Sequence, residues 1–128
     1  MPNVIIDTDI LIDFSRHNET AAEWIAAHEE SESLAISSIT QMELFVGALN
    51  RSDLQNIQQF VSRFELIHVN EDISLTAAEL VLKFSLSHKL RPADALIAAT
   101  AISFDFEFAT KNQRDFRFIE ELKLRDYP

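Results

Sequence analysis

Four carboxylates in this chain stand where short apolar runs give way to polar sequence. Asp7 closes "VIID", Glu43 lies in "SSITQMELFVGA", Asp94 in "LRPADALIAATA", and Asp115 in "TKNQRDF" behind the apolar run "FEFA". If those runs are parallel strands, the acids share the carboxyl edge of one sheet, where ligands gather in open α/β folds. Carboxylates brought together repel and raise one another's pKa unless a cation lies between them. Mg²⁺ or Mn²⁺ suits such a cluster, because hard ions take oxygen ligands and are commonly held by one or two carboxylates plus water and substrate phosphate. The chemistry implied is hydrolysis of a phosphodiester, with a water oriented and deprotonated and the attacked phosphate neutralised.

Each acid also has an ordinary explanation. Asp7 could cap a helix starting at Thr8, and Thr40 with Glu43 has the spacing of a capping box. Asp94 follows Pro92 by two residues and Asp115 follows Asn112 by three, so both suit the first turn of a helix. Capping does not require the four to converge, and a metal site does. Asp9 and Asp13 are expected at the surface or behind the ligands rather than among them. The chain has no cysteine, and His17, His28, His68 and His88 include no pair at the three- or four-residue spacing of a helical metal site. Any metal must therefore be held by oxygen.

The elements that would carry these acids can be read from hydrophobic periodicity. Strands are expected near 3–6, 34–37, 66–69, 106–109 and 122–125, with helices near 19–28, 39–49, 53–63, 71–88 and 92–103. The stretch 71–88 is the clearest helix, with Ile73, Ala77, Leu80, Val81 and Phe84 recurring on one face. The alternation predicts one α/β domain over 1–128, a three-layer α/β/α arrangement around a mainly parallel sheet of four or five strands. Gly47, the only glycine, falls inside an expected helix and suggests close packing there. Phe45, Val46, Leu49, Ile57, Phe60 and Phe64 are expected in the core, while ten phenylalanines leave apolar surface over for a dimer or a partner.

Composition limits the alternatives. At 47% hydrophobic, the sequence has no run near the about 18 apolar residues of a spanning helix and no basic, then apolar, leader; a cytoplasmic protein is expected. The net charge of −10 argues against nucleic acid, but its distribution argues back. Residues 111–125 carry five basic side chains (Lys111, Arg114, Arg117, Lys123, Arg125) against three acids (Asp115, Glu120, Glu121), so this stretch is +2 and the remainder −12. Lys111, Arg114 and Arg117 are the candidates to guide a phosphate backbone.

The four motifs, in this order and with these separations, resemble those of the PIN-domain ribonucleases, specifically the VapC-like toxins of prokaryotic toxin–antitoxin pairs. "IIDTDILID" resembles the opening motif, "SSITQMELFVGA" the second, "RPADALIAATA" the third and "TKNQRDF" the last. The resemblance implies a PIN-like fold and a metal-dependent endoribonuclease. It assigns the metal-binding, catalytic acids to Asp7, Glu43, Asp94 and the more variable Asp115, with Thr110 and Asn112 in support. It further implies RNA as substrate, a homodimer, a cognate antitoxin whose inhibitory segment carries a basic group, and DNA bound only through that antitoxin. The glycine commonly found before the late strand is replaced by Asp105, which puts the shape of that turn in question. Two other readings stand beside it. A strand followed by Asp-x-Asp also opens haloacid-dehalogenase-like phosphatases, with Asp7 as nucleophile and Asp9 as general acid; and a PIN-like domain could be a non-catalytic subunit of a DNA-binding complex.

Overall fold

The computed structural model describes residues 3–128. Five strands, β1 (Asn3–Ile6), β2 (Ser33–Ser37), β3 (Glu65–Ile67), β4 (Glu107–Ala109) and β5 (Lys123–Arg125), form one sheet in the order β3-β2-β1-β4-β5. Every neighbouring pair is parallel, with Ile5 opposite Ala35 on one side and Phe108 on the other. All five carboxyl ends therefore lie along one edge.

The sheet is buried on both faces, as its apolar strands require. Alternation along β1 sends Ile5 to one side, where it meets Ala35, Ile67 and Phe108 beneath α5 (Glu71–His88) and α6 (Pro92–Phe104). Val4 and Ile6 point the other way, packing with Ile36 and Ala109 against α1 (Thr8–Ser15), α2 (Glu19–Glu29) and α4 (Arg51–Val61). The α3 helix (Ser38–Val46) runs from the end of β2, giving Leu44 to the second core and Ile39 to the first. Asn18, Asn50 and Asn70 start α2, α4 and α5 by accepting backbone N–H bonds with their side chains, the usual service of an N-cap asparagine.

Several expectations need correction. The chain after Asp7 is helical, as α1, an element that hydrophobic periodicity does not pick out and that enters the expectations only as one option for Asp7. The α3 helix stops at Val46, and Gly47 is its C-cap with φ −77°, a conformation open to any residue. A Cβ there would meet nothing nearer than the Glu43 carbonyl at 3.4 Å, so Gly47 is not held by close packing. Val46 and Leu49 are 87% and 82% exposed, not core; Phe45 and Phe60 are half-buried, while Ile57 and Phe64 are buried as expected. The turn into β4 keeps a glycine-like shape without glycine, because Asp105 adopts φ 56°, ψ 39° at the end of α6. Among the described residues no helix is long and apolar enough to cross a membrane.

Candidate active site

Asp7 joins β1 to α1. Its backbone N–H continues the sheet ladder to the Ala109 carbonyl at 2.9 Å, which fixes the residue at the strand edge. Its carboxylate caps α1, with Oδ1 accepting the Thr8 N–H at 2.8 Å, while Oδ2 accepts the Thr110 hydroxyl at 2.7 Å. Capping and membership of an acidic cluster are thus compatible. The side chain is buried, and burial first, then the charge of Asp9 and to a smaller extent Asp94, push its pKa up to about 7 against the pull of its two hydrogen bonds.

The other acids arrive from neighbouring elements. Asp94 lies in the first turn of α6, behind Pro92, where the missing proline N–H costs the helix nothing. Burial raises its pKa, and so do the charges of Glu43, Asp115 and Asp9, with Arg91 opposing; these carboxylates lie within electrostatic reach of one another. Glu43 projects from the middle of α3 with its Oε1 2.7 Å from the Thr8 hydroxyl. It is not part of a capping box: Ser37 starts α3, accepting the Ile39 N–H at 3.0 Å. Asp115 ends a 3₁₀ turn, Gln113–Asp115, and is exposed; its tie to the group is through Asp94.

The polar residues between β4 and that turn hold the cluster together. Thr110 is fully buried, lies 2.7 Å from Asp7 and 3.2 Å from Asp9, and accepts the Asn112 N–H at 3.1 Å. Asn112 donates its side-chain amide to Asp9 Oδ2 at 3.0 Å. Asp9 is therefore inside the cluster, anchoring the 110–112 segment, and its pKa is raised, chiefly by burial. Of the two places expected for Asp9, at the surface or behind the ligands, it takes the second; the pairing of Thr8 with Thr40, whose hydroxyls stand 2.9 Å apart, is not among the expectations. The signal was present: Thr8 and Asp9 directly follow Asp7, and Thr40 shares a helix face with Glu43.

Of the basic stretch, only part reaches this edge. Lys111 is paired with Asp13 at 2.6 Å, while Lys123 and Arg125 bind Asp105, Glu32 and Glu107 away from the acids. Arg114 and Arg117 are exposed and form no ion pair among the described residues.

The donor set is all oxygen, carboxylates backed by threonine hydroxyls, which is the chemistry of a hard divalent ion. Among the described residues no three acids or histidines close a ready-made cage. An ion here would have to draw carboxylates together from separate elements, with water and substrate filling the rest of its shell. Asp9 is poorly placed as a general acid, since Oδ2 is shared between Thr110 and Asn112 and Oδ1 accepts the Lys111 N–H at 3.4 Å.

The family described as "PIN domain" matches residues 4–122. The chain is 33% identical over 121 residues to "Ribonuclease VapC19" of Mycobacterium tuberculosis, covering 93% of this chain and 96% of that protein. Among solved structures it is similar to a toxin–antitoxin complex from Klebsiella pneumoniae, with a TM-score of 0.79 and 33% identity over 93% of this chain and 94% of that one. It is also similar to DNA-bound VapBC from Salmonella typhimurium, with a TM-score of 0.84 and 25% identity over the full length of both chains.

Proposed function

The chain belongs to the PIN-domain family, among the VapC ribonuclease toxins of toxin–antitoxin pairs, and on that footing we propose that its acidic edge hydrolyses RNA with a bound Mg²⁺ or Mn²⁺. Asp7, Glu43 and Asp94 would hold the ion, with Asp115 completing the site from the exposed 3₁₀ turn. The observation that carries this reading is geometric: Asp7 at the end of β1 is tied to Thr110 after β4 at 2.7 Å, Glu43 of α3 reaches Thr8 beside it at 2.7 Å, and no ion pair among the described residues neutralises Asp7, Glu43 or Asp94. When bound, the cation supplies a lowered water pKa and neutralises charge on the phosphodiester. Thr110 fixes the Asp7 carboxylate, Thr8 fixes Glu43, and Asn112 with Asp9 keeps the 110–112 segment against the cluster. Arg114 and Arg117, exposed beside Asp115, would meet the RNA backbone, and Lys111 would join them on leaving Asp13.

A cognate antitoxin would inhibit by aiming an Arg or Lys at the same carboxylates, where a guanidinium can pair two oxygens at once. Its apolar footing would be Met42, Val46 and Leu49, exposed around the end of α3 that carries Glu43. Leu75, Leu82 and Leu86, exposed on α5, leave a second apolar face for a homodimer. DNA would be reached through the antitoxin, and an RNA substrate would be met in the cytoplasm. The test is cleavage of RNA by purified, antitoxin-free protein. Activity that requires Mg²⁺ or Mn²⁺ supports the mechanism; full activity in excess EDTA sinks it.

A further inference from the structure

Thr40 is fully buried in the first turn of α3, three residues before Glu43 and on the same face. A threonine inside a helix commonly satisfies its hydroxyl on the carbonyl one turn back. Thr100 does so in α6, donating to the Leu96 carbonyl at 2.8 Å. Thr40 instead reaches across to α1, where its Oγ1 lies 2.9 Å from Thr8 Oγ1. Thr8 Oγ1 in turn lies 2.7 Å from Glu43 Oε1.

Proton counting gives this chain a direction. Each hydroxyl has one proton, and a carboxylate can only accept. The Thr8 proton therefore goes to Glu43, and the Thr8 lone pair takes the proton of Thr40. Without Thr40, the Thr8 hydroxyl would lose the donor that sets its rotation, and bonds in series polarise and strengthen one another. Glu43 is otherwise an exposed side chain with free rotamers.

We propose that Thr40 is a positioning residue: its buried hydroxyl, acting through Thr8, holds the Glu43 carboxylate at the edge shared with Asp94, ordered before any cation arrives. This rests on the reading of Glu43 as a metal ligand. The outer-shell partners of metal ligands commonly change affinity or activity by about tenfold to hundredfold, and Thr40 is placed to be such a partner.

The test compares Thr40→Val, which removes the hydroxyl at nearly constant shape, with Thr40→Ser, which keeps it. In metal-free protein, NMR relaxation of the Glu43 side chain should show it ordered in the parent and the Ser variant and mobile in the Val variant. Titration with Mn²⁺ alone should give a dissociation constant raised about tenfold to hundredfold in Thr40→Val and within about threefold of the parent in Thr40→Ser. On RNA, the Val variant should lose kcat at nearly constant KM. Equal Glu43 order in parent and Val variant overturns the proposal, as does a Ser variant as impaired as the Val variant, which would assign the effect to methyl packing. If the parent orders Glu43 but cleaves no RNA, the ribonuclease reading fails while the positioning role stands. Should Thr40→Val not fold, Thr40→Ala carries the same comparison against Thr40→Ser.

Discussion

The two ends of the sheet treat their carboxylates in opposite ways. Toward the amino ends of the strands, Glu107 opens β4 and Glu32 precedes β2, and both are gripped by Arg125 through four hydrogen bonds of 2.6 to 3.0 Å. That pairing lowers both carboxyl pKa values, Glu32 and Glu107 alike. At the carboxyl ends, Asp7, Asp9 and Asp94 are all raised, with burial the first cause in each. No ion pair among the described residues reaches Asp7, Asp9, Glu43, Asp94 or Asp115. One end uses charge to hold strands together. The other keeps charge uncompensated, at a cost to the fold, and that is the end from which catalysis is proposed.

The sharpest way to break this comparison is to neutralise one acid at each end. Asp7→Asn or Asp94→Asn removes a proposed ligand at nearly constant volume and forfeits several kcal/mol of transition-state stabilisation. Metal-dependent RNA cleavage should fall by about a hundredfold to ten-thousandfold. Glu107→Gln, measured in the same assay, should leave turnover within about twofold. Similar losses at both ends would mean that the ends do not divide catalysis from architecture.

Stability should show the division with opposite pH signs. The Asp7 carboxyl has its pKa raised to about 7 in the folded protein, so the folded state holds a proton that the unfolded state releases from about pH 4 upward. Its penalty therefore grows as pH rises from about 4 to 7 and is complete above that. Glu32 and Glu107 are lowered, so their contribution is present above the ordinary Glu pKa and is lost as pH falls through their folded values. Metal-free Asp7→Asn, in which asparagine still caps α1, should be more stable than the parent at pH 8 by about 1 to 3 kcal/mol. The gain should vanish by about pH 4, where the parent carboxyl is already protonated. A variant less stable than the parent at pH 8 in EDTA would show that the hydrogen bonds the carboxylate accepts from Thr8 and Thr110 outweigh the penalty of its burial.

At the other end, Arg125→Met keeps the aliphatic stem and leaves Glu32 and Glu107 without their cation. Stranding partners of a partly buried ion pair should cost about 1 to 3 kcal/mol, less than at a fully buried one because the guanidinium keeps some exposure. Denaturant unfolding at pH 7 checks this, and the loss should shrink as pH falls below about 4, where both glutamates protonate. A loss that persists unchanged in acid would assign the effect to packing.

Much of this division could be read from residues alone. Short β-branched runs marked β1 and β2, and Asp7 stands at the end of its strand as read from the residues, whereas Asp94 follows helix α5 rather than a strand and Glu43 lies in the middle of α3. What periodicity does not carry is which neighbour a face meets. Val46 and Leu49 fit an apolar helix pattern yet point to solvent, because α3 ends where a longer helix was expected. Thr40 with Glu43 matched a capping box, but Ser37 had already capped the helix, leaving both side chains to bond across to Thr8. For Asp9 the residues leave both the surface and a place behind the ligands open, because the partners that decide it, Thr110 and Asn112, lie about a hundred residues away in sequence.

The smallest expected effect tests whether charge at the architectural end is compensation or mere surface. Asp105 holds the left-handed conformation at the end of α6, φ 56°, and its carboxylate meets Lys123 Nζ at 2.6 Å. Both side chains are largely exposed, so the pair is of the kind that contributes about 0 to 1 kcal/mol. Left-handed backbone costs an ordinary L-residue about 1 to 2 kcal/mol, with aspartate tolerated better than most and glycine free of the penalty. Asp105→Gly therefore exchanges a weak ion pair for relief of backbone strain, and its unfolding free energy should lie within about 1 kcal/mol of the parent. Asp105→Ala loses the pair and gains a less tolerant residue, so it should be destabilised by about 1 to 2 kcal/mol. If backbone conformation dominates, glycine restores what alanine loses and high salt changes neither variant much. If glycine and alanine instead lose equally, and the loss is largest at low salt, then Lys123 is part of the compensating charge and this end of the sheet extends its grip beyond Arg125.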